Sequence, residues 1–215
     1  MEAQAFLARV SAALGGASAP WTPPDTRAAP SAPRRRVELL HLHAEFAAHL
    51  AKVGGTAELV PASNAAARAM ELLGAGSRVH VGLELLPECV RAVVARGAAI
   101  GPDSDPLGWR AACAEAEWGV TDAVQLVAET GSTLLCANAR RPRAASLLPR
   151  RHMVVAPLSR LVADLDEALT HLADAPSQWL LVTGPSRTSD IENDLTIGVH
   201  GPGVMHVLVV DEDEA

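Results

Sequence analysis

The stretch Trp179-Leu180-Leu181-Val182-Thr183-Gly184-Pro185-Ser186-Arg187-Thr188-Ser189-Asp190-Ile191-Glu192 decides how the chain reads. A β-like, largely apolar run breaks at Gly-Pro. Beyond the break, Ser189 and Glu192 stand at capping-box spacing, with Asp190 in the first turn, where the helix dipole favours an acid. The segment predicts a strand over 179–183, a tight turn and a helix beginning near Thr188. Strands that feed directly into helices are the building unit of parallel α/β sheets.

The same alternation extends outward. Met153-Val154-Val155-Ala156 reads as a strand with a helix after it over about 159–172, and His206-Val207-Leu208-Val209-Val210 reads as the closing strand. Towards the N-terminus, Val37, Leu40, Phe46, Leu50 and Val53 recur at helical spacing up to the stop at Gly54-Gly55. Strands are expected over 57–60 and 78–81. Helices are expected from a Ser63 cap to Leu73, over 88–95 and over 109–118. Ala123 to Glu129 and Thr133 to Cys136 are two β-like runs joined by Thr130-Gly131-Ser132, the pattern of a hairpin. The expected architecture is α/β: a mostly parallel sheet flanked by helices, with one inserted β-hairpin. In such sheets ligands collect beyond the carboxyl ends of the strands.

Residues 1–36 stand apart from this pattern. Glu2 to Leu14 suit a short helix stopped by Gly15-Gly16, and Pro20, Pro23, Pro24, Pro30 and Pro33 give the next segment the character of an extended arm around Trp21. The α/β domain is expected over 37–215.

Composition narrows the function. The chain has 215 residues, 49% of them apolar, so it is neither disordered nor fibrous. Four Trp, two Phe and no Tyr leave few groups to stack on bases, and the net charge of −7 gives no general attraction for a polyanion. Nucleic acid is therefore not an expected partner. Cys89, Cys113 and Cys136 have no zinc or cluster spacing, and no ligand set for a metal stands out. They read as buried, inert thiols in a reducing compartment. The N-terminus lacks a signal-peptide pattern and no apolar run is long enough to span a membrane, so a cytoplasmic location is expected.

Three segments carry candidate chemistry. In the first, Gly184 permits close backbone approach, Pro185 stiffens the turn, and Ser186, Thr188 and Asp190 surround Arg187. The exposed N–H groups of a helix start beside a guanidinium suit a carboxylate or phosphate. Arg187 could equally pair with Asp190 or Glu192. In the second, His200 sits between glycines in Gly198-Val199-His200-Gly201-Pro202-Gly203, a loop suited to acid–base work or anion binding. In the third, Glu129 precedes Thr130, Gly131 and Ser132: a carboxylate base or nucleophile beside hydroxyl and N–H donors, or an ordinary turn. His41, His43 and His49 lack ligand spacing on one helical face and read as solvated or core-edge residues.

Together, Gly119-Val120-Thr121, Ala128-Glu129-Thr130-Gly131-Ser132, Leu148-Pro149-Arg150-Arg151-His152, the run from Thr183 to Glu192 and Gly198-Val199-His200-Gly201-Pro202 resemble the LUD-domain family and, more narrowly, its lactate-utilisation protein C branch. The resemblance covers residues from about Ala62 onward. Ser132 stands where the family often has a second Thr, so the hydroxyl is kept. The resemblance implies a fold of the NagB/RpiA/CoA-transferase group. It also implies a part in oxidising L-lactate to pyruvate with partner proteins that carry the iron–sulfur clusters, this chain holding no cofactor itself. Glu129 and His200 are then the candidate catalytic residues. Thr130, Gly131, Ser132, Gly184, Pro185, Ser186, Arg187, Thr188, Asp190 and Gly201 are the candidate binders of a small anionic ligand. A stand-alone enzyme acting on a phosphorylated sugar, a folate or an acyl-CoA compound is the alternative, resting on fold analogy. The resemblance leaves open whether this subunit is itself catalytic and whether it assembles with copies of itself.

Overall fold

A computed structural model describes residues 34–74, 79–81, 106–137, 143–170, 178–188 and 196–213. The expected helices over 2–14 and 88–95, the proline arm with Trp21, Cys89, Ser189, Asp190 and Glu192 lie outside the described residues.

Helix α1 spans Arg36–Lys52 and buries Leu39, Phe46 and Leu50. It ends in a Schellman motif. Gly54 N–H donates to the Ala51 carbonyl and Gly55 N–H to the Leu50 carbonyl, with Gly54 at φ +83°, a value glycine adopts without steric cost. Strand β1 (Thr56–Pro61) leads into α2 (Ala62–Leu73), so the helix begins just ahead of the expected Ser63 cap. Strand β2 (Val79–Val81), helix α3 (Pro106–Glu115) and strand β3 (Trp118–Asp122) follow. The expected helix over 109–118 is thus shifted towards the N-terminus, and Trp118 opens a strand.

The hairpin is present as β4 (Gln125–Val127) and β5 (Ser132–Ala137). A short α4 (Ala144–Leu147) precedes β6 (Arg151–Pro157). The single helix expected over 159–172 is divided into a 3-10 turn at Leu158–Arg160, a two-residue strand β7 (Leu161–Val162) and α5 (Leu165–Thr170). The cause is local: Asp164 Oδ1 accepts the Glu167 N–H at 2.8 Å while Glu167 Oε2 accepts the Ala163 N–H at 3.0 Å, a reciprocal cap that starts the helix there.

After β8 (Gln178–Val182), the chain does not enter a helix at Thr188 as expected. Arg187–Thr188 is a strand, β9, paired antiparallel with β10 (Thr196–Ile197). The last strand, β11, spans Val204–Asp211.

The strands form a five-stranded sheet in the order β1-β11-β6-β3-β2, parallel throughout, and a four-stranded sheet in the order β7-β4-β5-β8 built on the hairpin. Side chains alternate faces along each strand. Val60, Leu208, Val210, Met153 and Val155 pack on Ala65, Ala69 and Leu73 of α2. Met205, Val207, Val209, Val154 and Ala156 pack on Leu39, Phe46 and Leu50 of α1 and on Leu126 and Leu135 of the second sheet. The five-stranded parallel sheet is therefore covered by helix on one face and by helix plus small sheet on the other. Cys113 and Cys136 are buried, and burial pushes the Cys113 thiol pKa up to about 11.

Candidate functional site

The loops that carry the sequence motifs meet at the amino ends of the central strands. Residues 198–203 lead into β11, Ser146 and Leu147 precede β6, and Gly54-Gly55 precede β1. The candidate loops thus gather at the amino ends of the large sheet's strands, not beyond the carboxyl ends where ligands were expected. The turn after β8 reaches this end from the small sheet, to which β8 belongs.

Backbone hydrogen bonds tie the two loops together. Ser186 N–H donates to the Pro202 carbonyl at 2.9 Å, and Gly198 N–H donates to the Ser186 carbonyl at 2.9 Å. Gly203 N–H donates to the Arg150 carbonyl, anchoring the second loop to the start of β6. Between them lies a cavity of about 130 Å³, lined by Ser146, Leu147, Val182, Gly184, Ser186, Gly201, Pro202 and Met205, with His152 and His200. Gly184, Ser186, His200 and Gly201 are thus brought together as expected. His200 is exposed and marks the open side.

The remaining candidates lie elsewhere. Pro185 is buried in the turn, and Thr188 is half-buried in β9. Arg187 is exposed, and its Nη2 lies 2.6 Å from where a Cβ on Gly54 would stand, so the guanidinium covers the end of α1 rather than the cavity. Among the described residues it meets no carboxylate.

Glu129 is exposed at the hairpin turn, its N–H donating to the Ala163 carbonyl at 2.9 Å. It does not line the cavity. Beside it, Thr130 Oγ1 donates to Ser132 Oγ at 2.7 Å, and Ser132 Oγ stands 2.7 Å from Thr183 Oγ1, linking the hairpin turn to the end of β8. Gly131 packs against the backbone of His49 and Leu50. His49 donates through Nδ1 to the Ala128 carbonyl at 2.9 Å, so it anchors α1 to the hairpin, a core-edge role.

Of the cavity residues that sequence reasoning did not read as site residues, among them Ser146, Leu147, Val182 and Met205, the one with titratable chemistry is His152. His152, second in β6, is 1% exposed and has its Nε2 2.9 Å from Thr121 Oγ1. Burial alone pushes its pKa down to about 4, so the ring is neutral. The signal was available: a histidine at the start of an apolar strand, one strand over from the Gly203 loop. A half-buried histidine, His206, is bonded through Nδ1 to Thr56 Oγ1 at 2.7 Å and lies on the α2 face, away from the cavity.

Three comparisons bear on this arrangement. A family model described as the LUD domain matches residues 44–210. Lactate utilization protein C of Shouchella clausii is 36% identical over 103 residues, 45% of this chain and 45% of that protein. Lactate utilization protein C of Bacillus subtilis is 33% identical over 105 residues, 45% of this chain and 44% of that protein. The chain thus spans about half the length of the curated relatives it matches. The crystal structure of a duf162 family protein from Deinococcus radiodurans superposes with a TM-score of 0.59 at 23% identity, over 83% of this chain and 99% of that one. At that identity the likeness concerns the fold.

Proposed function

The chain belongs to the LUD-domain family, and from that premise we propose that it serves in lactate utilisation, binding a small organic acid in the cavity between the Gly184 and Gly201 loops. The observation that carries the reading is the cavity itself. Two loops on either side of β9 and β10 are held together by backbone hydrogen bonds around a space of about 130 Å³. A cavity of roughly 150 Å³ takes up a molecule the size of benzene. Six heavy atoms, the size of lactate or pyruvate, therefore fit within it. The names of the curated relatives point to the same metabolite.

The polarity of the wall supports an acid. Leu147, Val182, Pro202 and Met205 suit a short carbon chain, and His200 with the loop backbone suits its charged end at the open side. Arg187 is an exposed cation on the neighbouring β9 and adds attraction without touching the ligand. Oxidation of a 2-hydroxy acid needs an electron acceptor, and in this reading iron–sulfur proteins that associate with the chain supply it in the cytoplasm. Among the described residues no helix is long and apolar enough to cross a membrane.

Deletion of the gene should abolish growth on L-lactate as carbon source while leaving growth on glucose intact, and the wild-type chain should restore it. Undiminished growth of the deletion strain on L-lactate would overturn the assignment.

A further inference from the structure

We propose that His152 reads the uncharged oxygen of the bound acid, its free ring nitrogen hydrogen-bonding the 2-hydroxyl group while Thr121 positions the ring. The inference rests on the cavity reading above and deepens it from a small acid to a 2-hydroxy acid.

The wall leaves few polar groups for the ligand's interior end. Ser146 Oγ already donates to the Arg143 carbonyl at 3.0 Å, and Ser186 and His200 belong to the two loops that close the cavity. His152 lies on the strand at the base, on the same face of the sheet as Met205. Its orientation is fixed, because Nε2 is held 2.9 Å from the hydroxyl of Thr121, itself 9% exposed on neighbouring β3. The contact to Thr121 uses Nε2 alone, and the ring lines the cavity, so Nδ1 is the nitrogen left for the cavity's contents.

Charge assigns the two ends of the ligand. The buried ring is neutral and cannot serve as a counter-ion. A carboxylate pressed against Val182, Pro202 and Met205 would lose its hydration, so the charged end belongs at the open side by His200 and the hydroxyl end beside His152. In the neutral ring one nitrogen donates and the other accepts, and a hydroxyl both donates and accepts. A 2-hydroxyl therefore complements Nδ1 in either tautomer, which a methylene at the same place cannot do.

The test compares L-lactate with propionate, which lacks only the hydroxyl, by calorimetry on the full chain. The wild-type chain should bind L-lactate about three- to tenfold more tightly than propionate, the range expected for one neutral hydrogen bond. His152→Phe should lose that preference while keeping its affinity for propionate, and Thr121→Val should narrow it. An undiminished preference in His152→Phe overturns the assignment. Should that variant fail to fold, the nitrogen resonances of His152 in the wild-type chain decide: they should shift with L-lactate and not with propionate, and equal shifts overturn the inference. If neither acid binds the wild-type chain, the cavity reading itself falls and the role of His152 with it.

Discussion

Gly131 presses its Cα against the backbone of Leu50: a Cβ there would stand 2.3 Å from the Leu50 nitrogen, and the residue holds φ +66°. This contact seats the end of α1 on the hairpin turn, and the same helix end meets Gly184 through Val53. One short segment of α1 therefore sets the spacing of two loops that the sequence singles out.

Gly131→Ala should accordingly destabilise the fold by about 2–5 kcal/mol. Left-handed backbone costs an alanine about 1–2 kcal/mol, and an added methyl in packed space costs about 1–3 kcal/mol. Urea denaturation measures the loss. Glu129→Ala, two residues away at an exposed position, should change stability by less than about 0.5 kcal/mol. Wild-type stability in Gly131→Ala would contradict the packing.

Stability should fall with acid through the titration of His152. Its folded pKa lies near 4, below the 6.5 of a free imidazole, so the unfolded chain takes up its proton first. The stabilising difference is full above pH 6.5 and is lost as pH drops towards 4, at up to about 1.4 kcal/mol per pH unit. Burial also lowers the pKa of His43 and His206 and adds to the trend with the same sign. Denaturant midpoints between pH 7 and pH 4 should show the decline, and His152→Phe should flatten it. A slope unchanged in that variant would show that the ring titrates normally in the fold.

Arg187 and His200 should separate in binding. Arg187→Ala removes an exposed charge outside the cavity and should weaken L-lactate binding by no more than about threefold, the more so at low salt. His200→Ala removes a wall residue and should weaken it by tenfold or more if it contacts the carboxylate, a charge-assisted bond being worth about 1.5–3 kcal/mol. Calorimetry at two ionic strengths distinguishes them. The opposite ranking would return the site to the helix α1 end beneath Arg187.

The strands were legible because they are long, apolar and bounded by Gly or Pro, as in Met153 to Ala156 and His206 to Val210. Their parallel sheet followed from the helices between them. The rest depended on distant partners. Arg187 and Thr188 look like a helix entrance until residues 196–197 supply a strand to pair with. The Asp164–Glu167 cap was present in the sequence, but the apolar run through Leu161 and Val162 masked it as continuous helix; that run is a strand because β4 lies alongside it. The motif loops were recognisable, yet their place at the amino ends of the large sheet was not, since it requires knowing that β8 belongs to the second sheet. His152, quoted only within a motif, was not read as a site residue for a related reason. Only the packing of β6 against β3 and β11 turns a strand residue into a cavity wall.

The most direct test of the account is a titration of the isotopically labelled full chain with L-lactate, followed amide by amide in two-dimensional nuclear magnetic resonance spectra. Saturable shifts are expected at Gly184, Ser186, His200, Gly201 and Met205, with Leu208 and Ala69 unmoved. Saturable shifts clustered elsewhere, or none at millimolar L-lactate, would contradict it.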